Sequence, residues 1–135
     1  MLKIYQKIVD EIYRHALKEA PLEACGYLAG KKNIITKNYP MTNIDESRVH
    51  FTFDVNEQFR VIRDVRSNGL EVIAVYHSHP NSPARLSEED IRLANDPDIY
   101  YIVVSAVRSN LDIRSFKIKD GVIKVEKLKV ISNME

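Results

Sequence analysis

The chain has 135 residues, 44% hydrophobic and 29% charged, with a formal net charge of +1. That length suits one domain with a real core, while the near-neutral balance gives no electrostatic case for nucleic acid and no apolar run reaches the roughly 18 residues that a membrane span needs. The single cysteine, Cys25, excludes both an intramolecular disulfide and a four-cysteine structural metal site, and agrees with a reducing, cytoplasmic setting.

From Met1 the sequence runs straight into an amphipathic pattern carrying Asp10 and Glu11, unlike a signal or transit peptide. Ile4, Tyr5, Ile8, Val9, Ile12, Tyr13, Ala16 and Leu17 recur at helical spacing, which predicts a helix over residues 2–19 covering one face of a sheet. Strands are expected at residues 26–29 and 33–38, with Gly30-Lys31-Lys32 as the turn. Residues 49–53 read as a third strand, and residues 40–48 before it as the most mobile loop. Asp54 is placed to cap a helix with the apolar stripe Val55, Phe59, Ile62 and Val65, ended by Asn68-Gly69.

The apolar, β-prone run at residues 71–76 then predicts a buried strand. A short helix is expected over residues 88–95, with Ile91, Leu93 and Ala94 as its apolar members, and another buried strand over residues 100–106. Residues 113–119 and 122–129 read as a hairpin about Asp120-Gly121. There Lys117, Lys119, Lys124, Lys127 and Lys129 alternate with Phe116, Ile118, Ile123 and Val125, the pattern of a half-buried sheet whose lysines protect an edge. The expected fold class is α/β, a central mixed β-sheet flanked by helices.

His77-Ser78-His79-Pro80 and Ser87-Glu88-Glu89-Asp90 carry the chemistry. Residues i and i+2 of an extended chain share a face, so His77 and His79 can converge on one ion at the end of their strand, and Pro80 stops the strand beyond them. Two neutral imidazoles and a carboxylate from Asp90 form a donor set that suits Zn²⁺ with a fourth position open for water. Ser87 and Asp90 also have a structural reading, as a capping box at the start of a helix. The Asp-His that follows in metallo-β-lactamase sites is replaced by Asn81-Ser82-Pro83; the later ligands of cupins are missing, as is the His-Glu-x-x-His of helical zincins. A barrel amidohydrolase needs a much longer chain.

His-Ser-His-Pro, then Ser-x-x-Asp, with Glu23 upstream in Glu23-x-x-Gly26-x-Leu28-x-Gly30, closely resembles the JAMM/MPN+ (Mov34/MPN/PAD-1) metallopeptidases, in particular the short prokaryotic type. The resemblance covers the first helix to about Ser105, and ten residues separate His79 from Asp90 as in that family. It implies the JAMM/MPN fold, related to that of cytidine deaminases, with residues 1–130 as one catalytic domain and 131–135 as a tail. It further implies that His77, His79 and Asp90 are the ligands of one zinc ion, Glu23 the general acid/base and Ser87 the hydroxyl that stabilises the oxyanion. Cys25, though close to Glu23, reads as a small buried hydrophobe rather than a nucleophile. His15 and His50 read as structural or solvated.

The resemblance implies hydrolysis of a peptide or isopeptide bond after the C-terminal Gly-Gly of a ubiquitin-like or sulfur-carrier protein, whose extended tail would pair with an exposed strand near the zinc. Two alternatives stand beside it: a zinc hydrolase of small peptide or amino-acid conjugates, and a metal-bound interaction module without turnover. No nucleic-acid or membrane partner is expected, and homodimerisation is left open.

Overall fold

The computed structural model describes residues 1–48, 51–80, 82–105 and 112–132. Periodicity starts the first helix at residue 2, yet Leu2–Tyr5 is a strand, β1, and the helix α1 spans Gln6–Glu19. Leu2 and Ile4 are buried while Lys3 and Tyr5 are half-buried, so a period of two fits these residues as well as a helical one does. Distant partners decide between the two. β1 pairs in parallel with β3 (Ile34–Met41) on one side and with β8 (Leu128–Ile131) on the other.

Among the described residues eight strands form one mixed sheet in the order β7-β6-β5-β4-β2-β3-β1-β8. The remaining strands are β2 (Cys25–Lys31), β4 (Glu71–His79), β5 (Tyr100–Ser105), β6 (Asp112–Lys119) and β7 (Val122–Glu126). β7 and β8 lie at opposite ends of the sheet although only Lys127 separates them. The sheet therefore coils until its two ends approach each other, and the Leu2 N–H donates to the Lys127 carbonyl at 3.3 Å. α1 packs on the inner face, where Ile8, Val9 and Ile12 meet Leu28, Ile35, Tyr76, Ile102 and Val104 in the main core.

The expected hairpin forms about Asp120 and Gly121, both with positive φ, but holds only to Glu126; Leu128 then leaves for β1. Phe116 and Ile118 are buried as their alternation implies, whereas Ile123 and Val125 are exposed, because nothing among the described residues covers β7. The turn between β2 and β3 falls at Lys32 and Asn33, again with positive φ, two residues later than Gly30 would place it. Val49 and His50 of the expected third strand lie outside the described residues, and Phe53 makes one isolated bridge to Asn43 instead of a strand. In the preceding loop both Glu57 carboxylate oxygens accept from Thr42, one from its N–H and one from its hydroxyl, each at 2.8 Å. Ala106 likewise lies outside the described residues.

α2 (Val55–Ser67) starts as expected, with the Asp54 carboxylate accepting from the Asn56 N–H. Its apolar stripe is not buried, however. Val65 is, but Val55 and Phe59 are 60% and 62% exposed. α2 and the short α3 (Glu88–Leu93) lie on the outer face, and between them an apolar groove is left open. β4 itself is interior, flanked by β2 and β5.

Candidate metal centre

β4 delivers His77 and His79 to the outer face at its C-terminal end, both buried. Ladder partners lie on the same face, and here Cys25 opposes His77 on one side and Val103 on the other. Beyond β4, the Ser105 hydroxyl donates to the Ser82 carbonyl at 2.6 Å, and Ala84 packs with Val103 and Phe116. This pins the connecting loop and fixes where α3 begins. At that start the capping box is complete: Ser87 Oγ accepts from the Asp90 N–H at 3.0 Å, and Asp90 Oδ2 accepts from the Ser87 N–H at 2.9 Å. The structural and the metal-site readings of these two residues are therefore compatible, since the cap aims the Asp90 carboxylate back at β4.

Three atoms converge there. His77 Nε2 and His79 Nε2 are 3.1 Å apart, and each is 3.2 Å from Asp90 Oδ2. Bonds of about 2.0–2.1 Å in a tetrahedral shell place neighbouring ligand atoms about 3.3 Å apart, close to this triangle. The proton assignment agrees. His79 Nδ1 faces the Pro83 carbonyl at 3.2 Å, and a carbonyl can only accept, so Nδ1 carries the hydrogen and Nε2 presents its lone pair. A lone pair and a carboxylate oxygen aimed at one point favour a cation between them. Burial works against ionisation of Asp90, but positive charge or a ring N–H on the histidine side of the triangle, the place a bound cation would take, and the Ser87 N–H hold its carboxyl well below the usual range. His77, His79 and Asp90 thus form a group able to hold a metal ion.

Glu23 stands beside this triangle. Extending the β2–β4 register from Cys25↔His77 by two residues sets Glu23 opposite His79, on the same face. Its side chain is buried, with the residue 2% exposed, and Oε1 has no hydrogen-bond partner among the described residues. Burial first, then the neighbouring charges of Asp90 and Glu89, push its carboxyl up to about 8. A buried carboxylate oxygen without a donor is costly unless something else satisfies it, which a water bound at a neighbouring cation does.

The rest of the motif has structural reasons. A Cβ on Gly26 would stand 2.4 Å from Tyr76 Cε2 and 2.6 Å from the Tyr39 carbonyl oxygen, and one on Gly30 would stand 1.8 Å from the Ile34 carbonyl oxygen. Leu28 is wholly buried. Cys25 is also wholly buried, and burial first, then Glu23, pushes its thiol up to about 12, which leaves it inert as a nucleophile. His15 is far from the centre in function: its Nδ1 lies 2.7 Å from the Tyr76 hydroxyl, under α1. His50 lies outside the described residues. Sequence reasoning missed Phe51, which stacks on His77 with centroids 5.1 Å apart, and Ser78, whose Oγ accepts from the Ala24 N–H at 2.8 Å.

From the triangle a cavity of about 420 Å³ opens between α2 and α3, with Phe51, Phe53, Leu86 and Tyr101 among its walls. It continues along the sheet over Tyr27, Ile62 and Val75.

A coiled mixed sheet that presents His-x-His at a strand end, Ser-x-x-Asp at a helix start and a buried glutamate beside them defines a metallopeptidase-type centre of the JAMM/MPN class. The profile of prokaryotic homologues of the JAB domain matches residues 5–119, and the chain belongs to that family. The CysO-cysteine peptidase of Mycobacterium tuberculosis is 33% identical over 134 residues, covering 97% of this chain and 92% of its own. The desampylase of Haloferax volcanii is 33% identical over 103 residues, 71% of this chain and 74% of its own. Among solved structures, a protein of Desulfitobacterium hafniense shares 35% identity at a TM-score of 0.93, covering 100% of this chain and 96% of that one. The first two of these are named as a peptidase and a desampylase, and the chain is a peptidase of the same family.

Proposed function

We propose that the protein is a zinc-dependent peptidase that cleaves the peptide or isopeptide bond after the C-terminal Gly-Gly of a ubiquitin-like or sulfur-carrier protein. The observation that carries this is the buried triangle of His77, His79 and Asp90 with Glu23 Oε1, unpartnered among the described residues, beside it. His77, His79 and Asp90 would hold one zinc ion, which when bound supplies Lewis acidity and lowers the pKa of a coordinated water to about 7.

Glu23 takes the proton from the attacking water and returns it to the departing amine; burial raises its carboxyl above the ordinary value, the direction a group that must also act as an acid needs. The Ser87 hydroxyl, whose oxygen already accepts from Asp90, keeps its own hydrogen for the carbonyl oxygen as charge develops there. The open groove between α2 and α3 suits an extended tail, with Phe51 and Phe53 as its aromatic wall. The relatives supply the substrate class, being named for CysO-cysteine and for desampylation. The reading places the reaction in the cytoplasm, where the lone Cys25 thiol stays reduced.

The test is intact-mass analysis of a ubiquitin-like carrier bearing Gly-Gly and a C-terminal extension, incubated with zinc-loaded wild type and with Glu23→Ala. Cleavage after the second glycine by wild type alone is expected. Uncut carrier in the presence of zinc-loaded wild type would move the substrate to small amide conjugates or the role to metal-bound interaction without turnover.

A further inference from the structure

We infer that Asn43 is a positioning residue for Glu23, joining the main chain of the base to the loop that walls the cleft. The inference rests on the reading of Glu23 as the base.

Oε1 of Glu23 has no hydrogen-bond partner among the described residues, so the placement of the main chain that carries the side chain bears on where the carboxyl points. That main chain is held on both sides. The Glu23 N–H donates to the Ser47 carbonyl at 2.8 Å, and the Glu23 carbonyl accepts from Asn43 Nδ2 at 3.2 Å. Both anchors belong to the loop between β3 and α2. The next residue is tied to the metal strand instead: Ala24 exchanges hydrogen bonds with Ser78, at 2.8 Å to its Oγ and 2.9 Å from its N–H. Between these two attachments Glu23 has little freedom.

Asn43 is buried, at 6% exposure, and its other amide atom organises the loop. Oδ1 accepts from the N–H groups of Asp45 at 3.1 Å and Thr52 at 3.2 Å. Thr52 follows Phe51, the ring stacked on His77. One side chain thus stands between the base and the aromatic wall, with its donor turned to the base and its acceptor to the loop. A displacement of about 1 Å at a catalytic group costs about 10²-fold in rate, so a clamp of this kind bears on turnover rather than on substrate affinity.

The division of labour within the amide supplies the test. Asn43→Asp keeps an acceptor for Asp45 and Thr52 but removes the donor to Glu23; Asn43→Ala removes both. Zinc-loaded wild type, Asn43→Asp, Asn43→Ala and Glu23→Ala are compared on the Gly-Gly carrier fusion, with zinc content and the amide hydrogen exchange of Glu23 and Thr52 measured in parallel. Asn43→Asp is expected to bind one zinc, to lose about 10- to 100-fold in kcat with KM within about twofold, and to exchange the Glu23 amide faster while Thr52 stays protected. Asn43→Ala should loosen both amides.

A kcat for Asn43→Asp within about twofold of wild type, or a loss confined to KM, overturns the inference. Full activity of Glu23→Ala overturns the base assignment and this inference with it. If wild type leaves the fusion uncut, it is the substrate reading that fails, and the exchange data still decide: an unchanged Glu23 amide in Asn43→Asp removes Asn43 from its role, and a faster one retains it.

Discussion

Gly26 sits so close to the ring of Tyr76 that a Cβ there would stand 2.4 Å from Cε2. Tyr76 immediately precedes the ligand His77, is wholly buried, and has its hydroxyl 2.7 Å from His15 Nδ1. It cannot swing away, and on the other side the Tyr39 carbonyl oxygen is equally close at 2.6 Å. The glycine of the Glu-x-x-Gly motif is therefore a spacing requirement between β2 and its two neighbours, and it acts on the metal site through β4.

Gly26→Ala is accordingly expected to destabilise the fold by about 3 kcal/mol or more, at the upper end of overpacking costs, and to weaken metal binding through displacement of His77. Urea unfolding with a zinc titration checks both. A stable variant with unaltered zinc affinity would show that β2 and β4 separate without strain.

Glu23→Gln should retain the metal and lose about 10²–10⁴-fold in turnover. Its second signature is thermodynamic. In the metal-free protein the carboxyl of Glu23 is raised from 4.5 to about 8, so between these values the folded state binds more protons than the unfolded one. Stability from this residue is present below about pH 4.5 and is lost as pH rises through about 8. The wild-type minus Glu23→Gln difference in unfolding free energy should fall across that window; a flat difference contradicts a buried, raised carboxyl.

Ser87→Ala separates two roles. Loss of the cap on α3 should cost about 1 kcal/mol of stability. Loss of a hydroxyl that meets the developing oxyanion should lower kcat by about 10²–10³-fold. A variant that loses the stability but keeps kcat confines Ser87 to capping.

Zinc added to about 100 times its Kd should stabilise the wild type by about 2.7 kcal/mol, a Tm rise on the order of 5–10 °C, and a chelator should reverse it. His79→Ala and Asp90→Ala should abolish the rise. An equal rise in His79→Ala would mean that the ion binds elsewhere.

Much of the centre was legible because it is local. His77 and His79 share a face through the period of a strand, and Ser87 and Asp90 meet through the first turn of a helix, so the spacing of the letters already constrains geometry. Glu23 is different. Nothing near it in the chain distinguishes it from a solvated loop carboxylate, and only the resemblance selected it; its place depends on a ladder that brings Cys25 to His77. Asn43 and Phe51 were missed for the same reason, since their partners are set by tertiary contacts that no short-range pattern records. The errors in the fold follow this rule too. Leu2–Tyr5 joins the sheet because of strands elsewhere in the chain, and residues 122–129 split between two neighbours that lie at opposite ends of the sheet. Val55 and Phe59 keep a helical stripe that the structure leaves uncovered, beside the cleft.

The pairing of Leu2 with Leu128 also sets an order of events at the ribosome. β1 emerges early, and its place between β3 and β8 stays half empty until β8 has cleared the exit tunnel. Until then the edge of β1, with its bare amides and carbonyls, is open to any other extended strand. Such long-range closure is slow to form and late to protect, so a nascent chain stalled before residue 128 should be the species that chaperones hold and proteases cut.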